Sequence, residues 1–171
     1  AGKTTYNFAP VSLSELVDIS LNEFNAVLET KRISIEFHPP GFSDIAQADS
    51  DKILQVIRNL ISNAIKFSPS GGKICMEIDK HEHHLQFSII DQGVGIPESE
   101  LKAVFDKFIQ SSKTKTGAGG TGLGLAISKN IINDHHGQIW AENNKDQGAI
   151  FRFVLPVNPE TEENWEPVSL N

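Results

Sequence analysis

The run from Lys52 to Phe67 constrains the fold more than any other segment. Ile53, Ile57, Leu60, Ile61 and Ala64 recur there at helical spacing, and Pro69 with Gly71-Gly72 ends the period. At about 100° per residue, Asn59, Asn63 and Lys66 fall within an arc of about 60° on the opposite side. One face must therefore pack, while the other presents two amides and an ammonium. Asp49-Ser50-Asp51 supplies capping chemistry at the start. Every amphipathic helix has a polar face, yet asparagines are poor helix formers for a plain surface stripe, and an amide oxygen is a serviceable hard ligand for Mg²⁺.

The remaining pattern mixes helical and alternating periods. Leu13, Leu16, Val17, Leu21, Phe24 and Leu28 predict a first helix over Ser12 to Thr30, capped by Ser12 or Ser14. Arg32 to His38 alternates and is stopped by Pro39-Pro40-Gly41, and a short strand follows around Asp44 to Ala48. Lys73 to Asp79 and Leu85 to Asp91 predict a hairpin, Leu101 to Phe108 a short helix, and Gln110 to Gly120 a mobile loop. Thr121 to His135 is helical again, and Gln138 to Asn143 with Ala149 to Leu155 closes the chain as a second hairpin. Hairpins outnumber strand-helix-strand units. The expected architecture is α/β (α+β), a two-layer sandwich with one mixed sheet covered on one face by about three helices. Residues 8–156 are expected to form one domain, preceded by an extended lead-in over 1–7. The acidic, patternless stretch 157–171 is expected to be a disordered tail.

Composition excludes several functions. A length of 171 residues suits a single domain, and a formal charge of −7 argues against a nucleic-acid surface. Lys102, Lys107, Lys113 and Lys115 nevertheless form a local basic stretch fit for a small phosphorylated molecule, although a solvated surface reads the same way. The lone Cys75 rules out an internal disulfide and a Cys-rich zinc site, and is expected to be a buried structural thiol. No window approaches the ~20 apolar residues of a membrane span. The start at Ala1-Gly2 reads as an excised fragment whose parent is free to be membrane-anchored.

Three further segments carry chemistry. Asp91-Gln92-Gly93-Val94-Gly95-Ile96-Pro97 follows a strand; its glycines let backbone approach a ligand, and Asp91 offers a fixed acceptor for an amine. A tight turn with a capping Asp would look alike. Phe105 and Phe108 stand three apart before the loop, as core residues or as the hinge of a lid. Gly119-Gly120-Thr121-Gly122-Leu123-Gly124-Leu125 opens a helix, where free N–H groups and the positive helix end make a phosphate cradle. It lacks the Gly-Lys-Ser/Thr ending of a P-loop.

Taken together and in this order, the four segments resemble the N box, first glycine box, F box and second glycine box of the catalytic ATP-binding domain of bacterial sensor histidine kinases, in the GHKL superfamily with its Bergerat-type fold. The resemblance spans Phe8 to Leu155. It implies binding of ATP with Mg²⁺. Asp91 would accept from the exocyclic amine of adenine, Gly93 and Gly95 would pass beside the ring, and Ile96 would give apolar contact. Asn63 matches the family's Mg²⁺ ligand, Asn59 and Lys66 would face the triphosphate, and Phe67 takes the place of an aromatic beside the nucleotide. Phe105 and Phe108 correspond to the F box. Gly120, Thr121, Gly122 and Gly124, with Leu123 and Leu125, would cradle phosphates and seat the lid.

The resemblance also sorts between branches. Hydrolytic relatives such as gyrase carry a glutamate four residues before the metal-binding asparagine; Asn59 stands there and cannot act as a general base. An imidazole acceptor has less need of that base. The resemblance therefore implies a protein-histidine kinase, in the cytoplasm, that phosphorylates its own helical acceptor domain in a homodimeric parent and then serves a response regulator. No histidine here has the acceptor's context: His38 precedes Pro39, His81, His83 and His84 sit in a turn, and His135-His136 run into Gly137. The acceptor is expected outside this sequence. A binding module that signals by lid movement without catalysis is the alternative, against which the intact motifs count.

Overall fold

Both long helices start on the caps that the sequence offers. In the computed structural model, which describes residues 5–106 and 123–159, β1 (Ala9–Ser12) leads into α1 (Leu13–Lys31), and the Ser12 hydroxyl accepts from the Glu15 N–H. After β2 (Ser34–Phe37), β3 (Ile45–Ala48) leads into α2 (Ser50–Phe67), and the Asp49 carboxylate accepts from the Lys52 N–H. β1 and β3 pair antiparallel in a small sheet of their own. Asp44 joins the two starts, accepting from the Ser12 hydroxyl at 3.0 Å and from the Ser14 N–H at 2.6 Å. Each such cap contributes about 1 kcal/mol, so the starts of α1 and α2 are fixed by local chemistry before packing is counted.

The main sheet has the order β2-β4-β5-β7-β6, with β4 (Lys73–His81), β5 (His84–Ile90), β6 (Gln138–Asn143) and β7 (Ala149–Pro156). Only β2–β4 is parallel, across the connection that contains β3 and α2; the other pairs are antiparallel. α3 (Gly124–Asp134) completes the helical layer. Alternate residues Ile74, Met76, Ile78, Leu85, Phe87, Ile89, Phe151, Phe153 and Leu155 form the sheet side of the core, and Phe87 stacks on Phe153 at 5.2 Å between ring centroids. Val56, Ile57, Leu60, Ile61 and Ile132 are buried from the helical side. The expected two-layer sandwich with one mixed main sheet and three helices is thus what forms, with the β1–β3 pair in addition.

Two expectations need correction. Leu101 to Phe108 does not begin as a short α-helix: its described part, 101–106, holds one 3₁₀ turn, Ala103–Phe105, preceded by another at Glu98–Glu100, and Asp106 is already extended. So short a segment gains too few hydrogen bonds to offset helix nucleation. Cys75 is not a buried core thiol. With Ile74, Met76 and Ile78 pointing inward, strand parity sends Cys75 to the opposite face, where it is half-buried and its Sγ lies 3.7 Å from Glu36 Oε2. Residues of the predicted mobile loop, Gln110 to Gly120, and most of the predicted acidic tail lie outside the described residues.

The lead-in is not a free arm over its described part. The Asn7 N–H donates to Asp49 Oδ2 at 2.9 Å, the Tyr6 hydroxyl donates to Asp134, and Tyr6 and Phe8 both pack on the His135 ring. Burial, then the bond to Asp134, pushes the Tyr6 phenol up to about 12. His135 is 1% exposed at the end of α3. Its Nδ1 faces the Ile131 carbonyl at 2.8 Å and so carries the proton, and its Nε2 accepts from the Asp49 N–H at 3.0 Å. Burial holds this imidazole below its ordinary value of 6.5, against Asp49 and Asp134, which favour the charged form; neighbouring His136 opposes it. The unfolded chain then binds the proton more readily. The stability from His135 is complete above its ordinary value and is lost as pH falls through the depressed folded value. We expect the melting temperature to drop on acidification from about pH 7 to about pH 5, and His135→Gln to flatten that slope while lowering the melting temperature at pH 7. Equal slopes in the two proteins would count against it.

Candidate nucleotide-binding site

The polar face of α2 is flanked at two levels. Near its middle, Asn59 Nδ2 donates to the Gly124 carbonyl and to the Ser128 hydroxyl, both at 3.1 Å, and so fastens the start of α3 to α2. Ser128 is fully buried. At the end of α2, Gly93 packs so closely that a Cβ there would lie 2.4 Å from the Phe67 carbonyl oxygen. Eight residues separate Asn59 from Phe67, which places these two flanks about 12 Å apart along the helix. Half-buried Asn63 stands midway, and among the described residues its side chain makes no hydrogen bond. Lys66 Nζ lies 5.2 Å from the Phe67 ring centroid, a cation–π contact that holds the ammonium over the same end.

The α2 terminus is itself secured from α1. Lys31 Nζ donates to the Ile65 carbonyl at 2.6 Å and to the Ser68 carbonyl at 3.1 Å, satisfying carbonyls that a helix end leaves unpaired.

Asp91 is the most constrained acid of the site. It is 5% exposed at the end of β5, and its Oδ1 accepts from the Gly93 N–H at 2.8 Å and the Ala149 N–H at 3.1 Å. Among the described residues Oδ2 accepts nothing, leaving one oxygen for an outside donor. Burial raises the carboxyl above its ordinary value, and the N–H groups of Gly93 and Ala149 pull part of the way back. After it, Gly95 adopts φ +76°, a left-handed conformation that favours glycine. Ile96 then returns to the core at 7% exposure. Phe105 is buried edge-on against Phe151, with centroids 6.1 Å apart.

At the start of α3, Leu123 offers no side-chain cap, so the first N–H groups of the helix remain available to an anion. Leu125 is half-buried against the core. Phe108, Gly120, Thr121 and Gly122 lie outside the described residues. Among the described residues no three His, Cys, Asp or Glu side chains cluster. The donor set suits Mg²⁺, which takes one or two protein oxygens and completes its shell with water and phosphate.

A family model for the histidine kinase-, DNA gyrase B- and HSP90-like ATPases matches residues 48–159. The chain belongs to this ATPase family. Its members bind ATP, and α2, the Asp91 turn and α3 all fall within the matched region of this family member. Sensor histidine kinase WalK of Bacillus subtilis is 42% identical over 142 residues, covering 80% of this chain and 23% of WalK. The adaptive-response sensory kinase SasA of Rippkaea orientalis is 36% identical over 151 residues, 88% of this chain and 37% of SasA. The chain thus spans well under half of these relatives. A solved catalytic domain of histidine kinase ThkA, nucleotide-free, superposes with a TM-score of 0.80 at 34% identity, over 90% of this chain and 98% of that domain. Within the ATPase family the fold is therefore that of the histidine-kinase catalytic domains.

Sequence reasoning missed three contributors. Gly148, at φ +95°, lies so close to Asp91 that a Cβ would stand 2.0 Å from the Asp91 carbonyl oxygen. Asn143 closes both ends of its amide on the backbone N–H and C=O of Ile96, and Ser128 anchors Asn59. Only the Gly in a five-residue hairpin loop was a usable signal, since the other two act across long separations.

Proposed function

We propose that this chain binds Mg-ATP along the polar face of α2 and donates the γ-phosphate to a histidine on a separate helical domain, as the kinase part of a two-component sensor. The observation that carries the reading is the buried Asp91 carboxylate, with one oxygen tied to backbone and the other open, near the end of a helix whose Asn59 is bonded to the uncapped start of α3. Asp91 would take the adenine amine, with Gly93, Gly95 and Ile96 lining the ring. Asn63 would hold Mg²⁺, which supplies charge neutralisation on the phosphates. Lys66 and the N–H groups at Gly124 and Leu125 would meet the phosphate oxygens, a preorganised set of donors of the kind that phosphoryl transfer depends on.

The acceptor in this reading is elsewhere in the parent protein. None of the six histidines sits in the body of a long helix: His38 is in an exposed loop, His81, His83 and His84 lie at the β4–β5 hairpin, and His135 and His136 end α3. WalK and SasA carry most of their length outside the matched region. A ThkA structure in complex with the response regulator TrrA, at 30% identity and a TM-score of 0.77, supports a response regulator as the downstream partner.

The test is phosphotransfer from γ-labelled ATP with the parent's helical domain supplied. An acid-labile, base-stable product on that domain is expected. An acid-stable product, or labelling of the chain itself, would overturn the assignment. Asn63→Ala should lose Mg²⁺-dependent nucleotide affinity while metal-free affinity changes little, because the amide oxygen is the proposed ligand. Equal losses with and without Mg²⁺ would make Asn63 a pocket-shaping residue only.

A further inference from the structure

The turn from Asp91 to Ile96 is held by the β6–β7 hairpin at both ends, by different means. At its first end the backbone of the hairpin does the holding: the Asp91 N–H donates to the Ala149 carbonyl at 3.0 Å, and the Ala149 N–H returns to Asp91 Oδ1. At its second end no strand pairing exists, and a single side chain substitutes for it. Asn143 Oδ1 accepts from the Ile96 N–H at 2.9 Å, and Asn143 Nδ2 donates to the Ile96 carbonyl at 2.6 Å. One amide thereby closes on the N–H and C=O of one residue, as a neighbouring strand would. The fit leaves no slack, since a Cβ on Gly95 would lie 3.0 Å from Asn143 Oδ1.

We infer that Asn143 is a positioning residue for base recognition, fixing the distance between the Asp91 carboxylate and the Gly95-Ile96 backbone so that the opening accepts adenine and not guanine. This rests on the proposal that the Asp91 turn binds the base. Asn143 itself is exposed and ends β6, so its effect reaches the base only through Ile96 and Gly95. Asparagine is the side chain this geometry requires. Aspartate of the same shape would keep the acceptor for the Ile96 N–H but set a carboxylate oxygen against the Ile96 carbonyl, and alanine would remove both bonds.

The experiment compares the wild-type chain with Asn143→Ala, Asn143→Asp and Asp91→Asn, measuring affinity for Mg-ATP, Mg-GTP and inorganic tripolyphosphate, and the melting temperature. Both Asn143 variants should lose ATP affinity by roughly tenfold, alanine through two lost hydrogen bonds of modest net value and aspartate through one lost bond and an oxygen set against the Ile96 carbonyl, while tripolyphosphate affinity stays unchanged and the ATP-to-GTP ratio falls. Equal losses for ATP, GTP and tripolyphosphate would mean that Asn143 only supports the fold. If Asp91→Asn abolishes discrimination while both Asn143 variants retain it, the inference about Asn143 is wrong and base recognition at Asp91 stands. If wild type shows no preference for ATP, or Asp91→Asn leaves the preference intact, base recognition at this turn fails and the inference falls with it. Should Asn143→Ala not fold, Asn143→Asp, isosteric and facing solvent on one side, decides the question.

Discussion

Asp91→Asn should leave the domain folded, at an unchanged or higher melting temperature, while ATP affinity falls by about 5- to 150-fold, the effect of losing a hydrogen bond to a buried acceptor. The two halves of the result have separate physical causes. An amide oxygen can replace Oδ1 as acceptor for the Gly93 and Ala149 N–H groups, so the turn keeps its internal bonds. The variant removes a charge that burial disfavours. At the open position, however, an NH₂ would replace Oδ2 and face the donor amine of adenine, so the preference for ATP over GTP should shrink as well. The pH dependence adds a third reading. Because burial raises the folded value of Asp91, the folded chain binds that proton more readily than the unfolded chain. This group's contribution to stability therefore grows as pH falls through the raised folded value and is smallest at neutral pH. The Asn variant should lack that acid-side gain. Titration calorimetry and melting curves at neutral and mildly acidic pH measure all three; unchanged ATP affinity would remove Asp91 from base recognition.

Much of this was readable from residue order, and the reasons differ by element. α2 was legible because its apolar period of 3.6 is unbroken from Ile53 to Ala64, and its caps are local: Asp49 acts three residues away on Lys52. The Asp91 turn was legible because two closely spaced glycines after a strand are themselves a signal, although only Gly95 has a local need, φ +76°, and Gly93 makes room for the distant Phe67. Asn143 was not, because its partner Ile96 is 47 residues away and a polar residue at the end of a strand is unremarkable in sequence. His135 was dismissed as an acceptor for its Gly137 neighbour, and nothing local reveals that Tyr6 and Phe8 cover its ring. Cys75 is different: the alternation Ile74, Met76, Ile78 already sends it to the other face, so strand parity outranks the general tendency of cysteine to be buried.

Hydrolysis of ATP by the chain alone should be slow, and Asn59→Glu should not make it fast. General-base assistance is worth about 10²–10⁴-fold, and an amide cannot supply it, so water attack at this site lacks that factor. Installing the carboxylate that hydrolytic relatives carry looks like a simple remedy, yet Asn59 is already occupied. Its Nδ2 donates to the Gly124 carbonyl and the buried Ser128 hydroxyl, and these two bonds tie the uncapped start of α3 to α2. A carboxylate can accept from Ser128 but has nothing to offer the Gly124 carbonyl, and sets an oxyanion against it. The substitution should lower stability by about 1–3 kcal/mol and displace the helix start that is proposed to meet the phosphates. Asn59→Gln, with the donor retained one methylene further out, should lose less stability than Asn59→Glu. Phosphate release and melting curves on the three proteins distinguish the outcomes. A rise in hydrolysis of a hundredfold or more in Asn59→Glu, without loss of stability, would show that this site was one side chain away from an ATPase and that the clamp on α3 is dispensable.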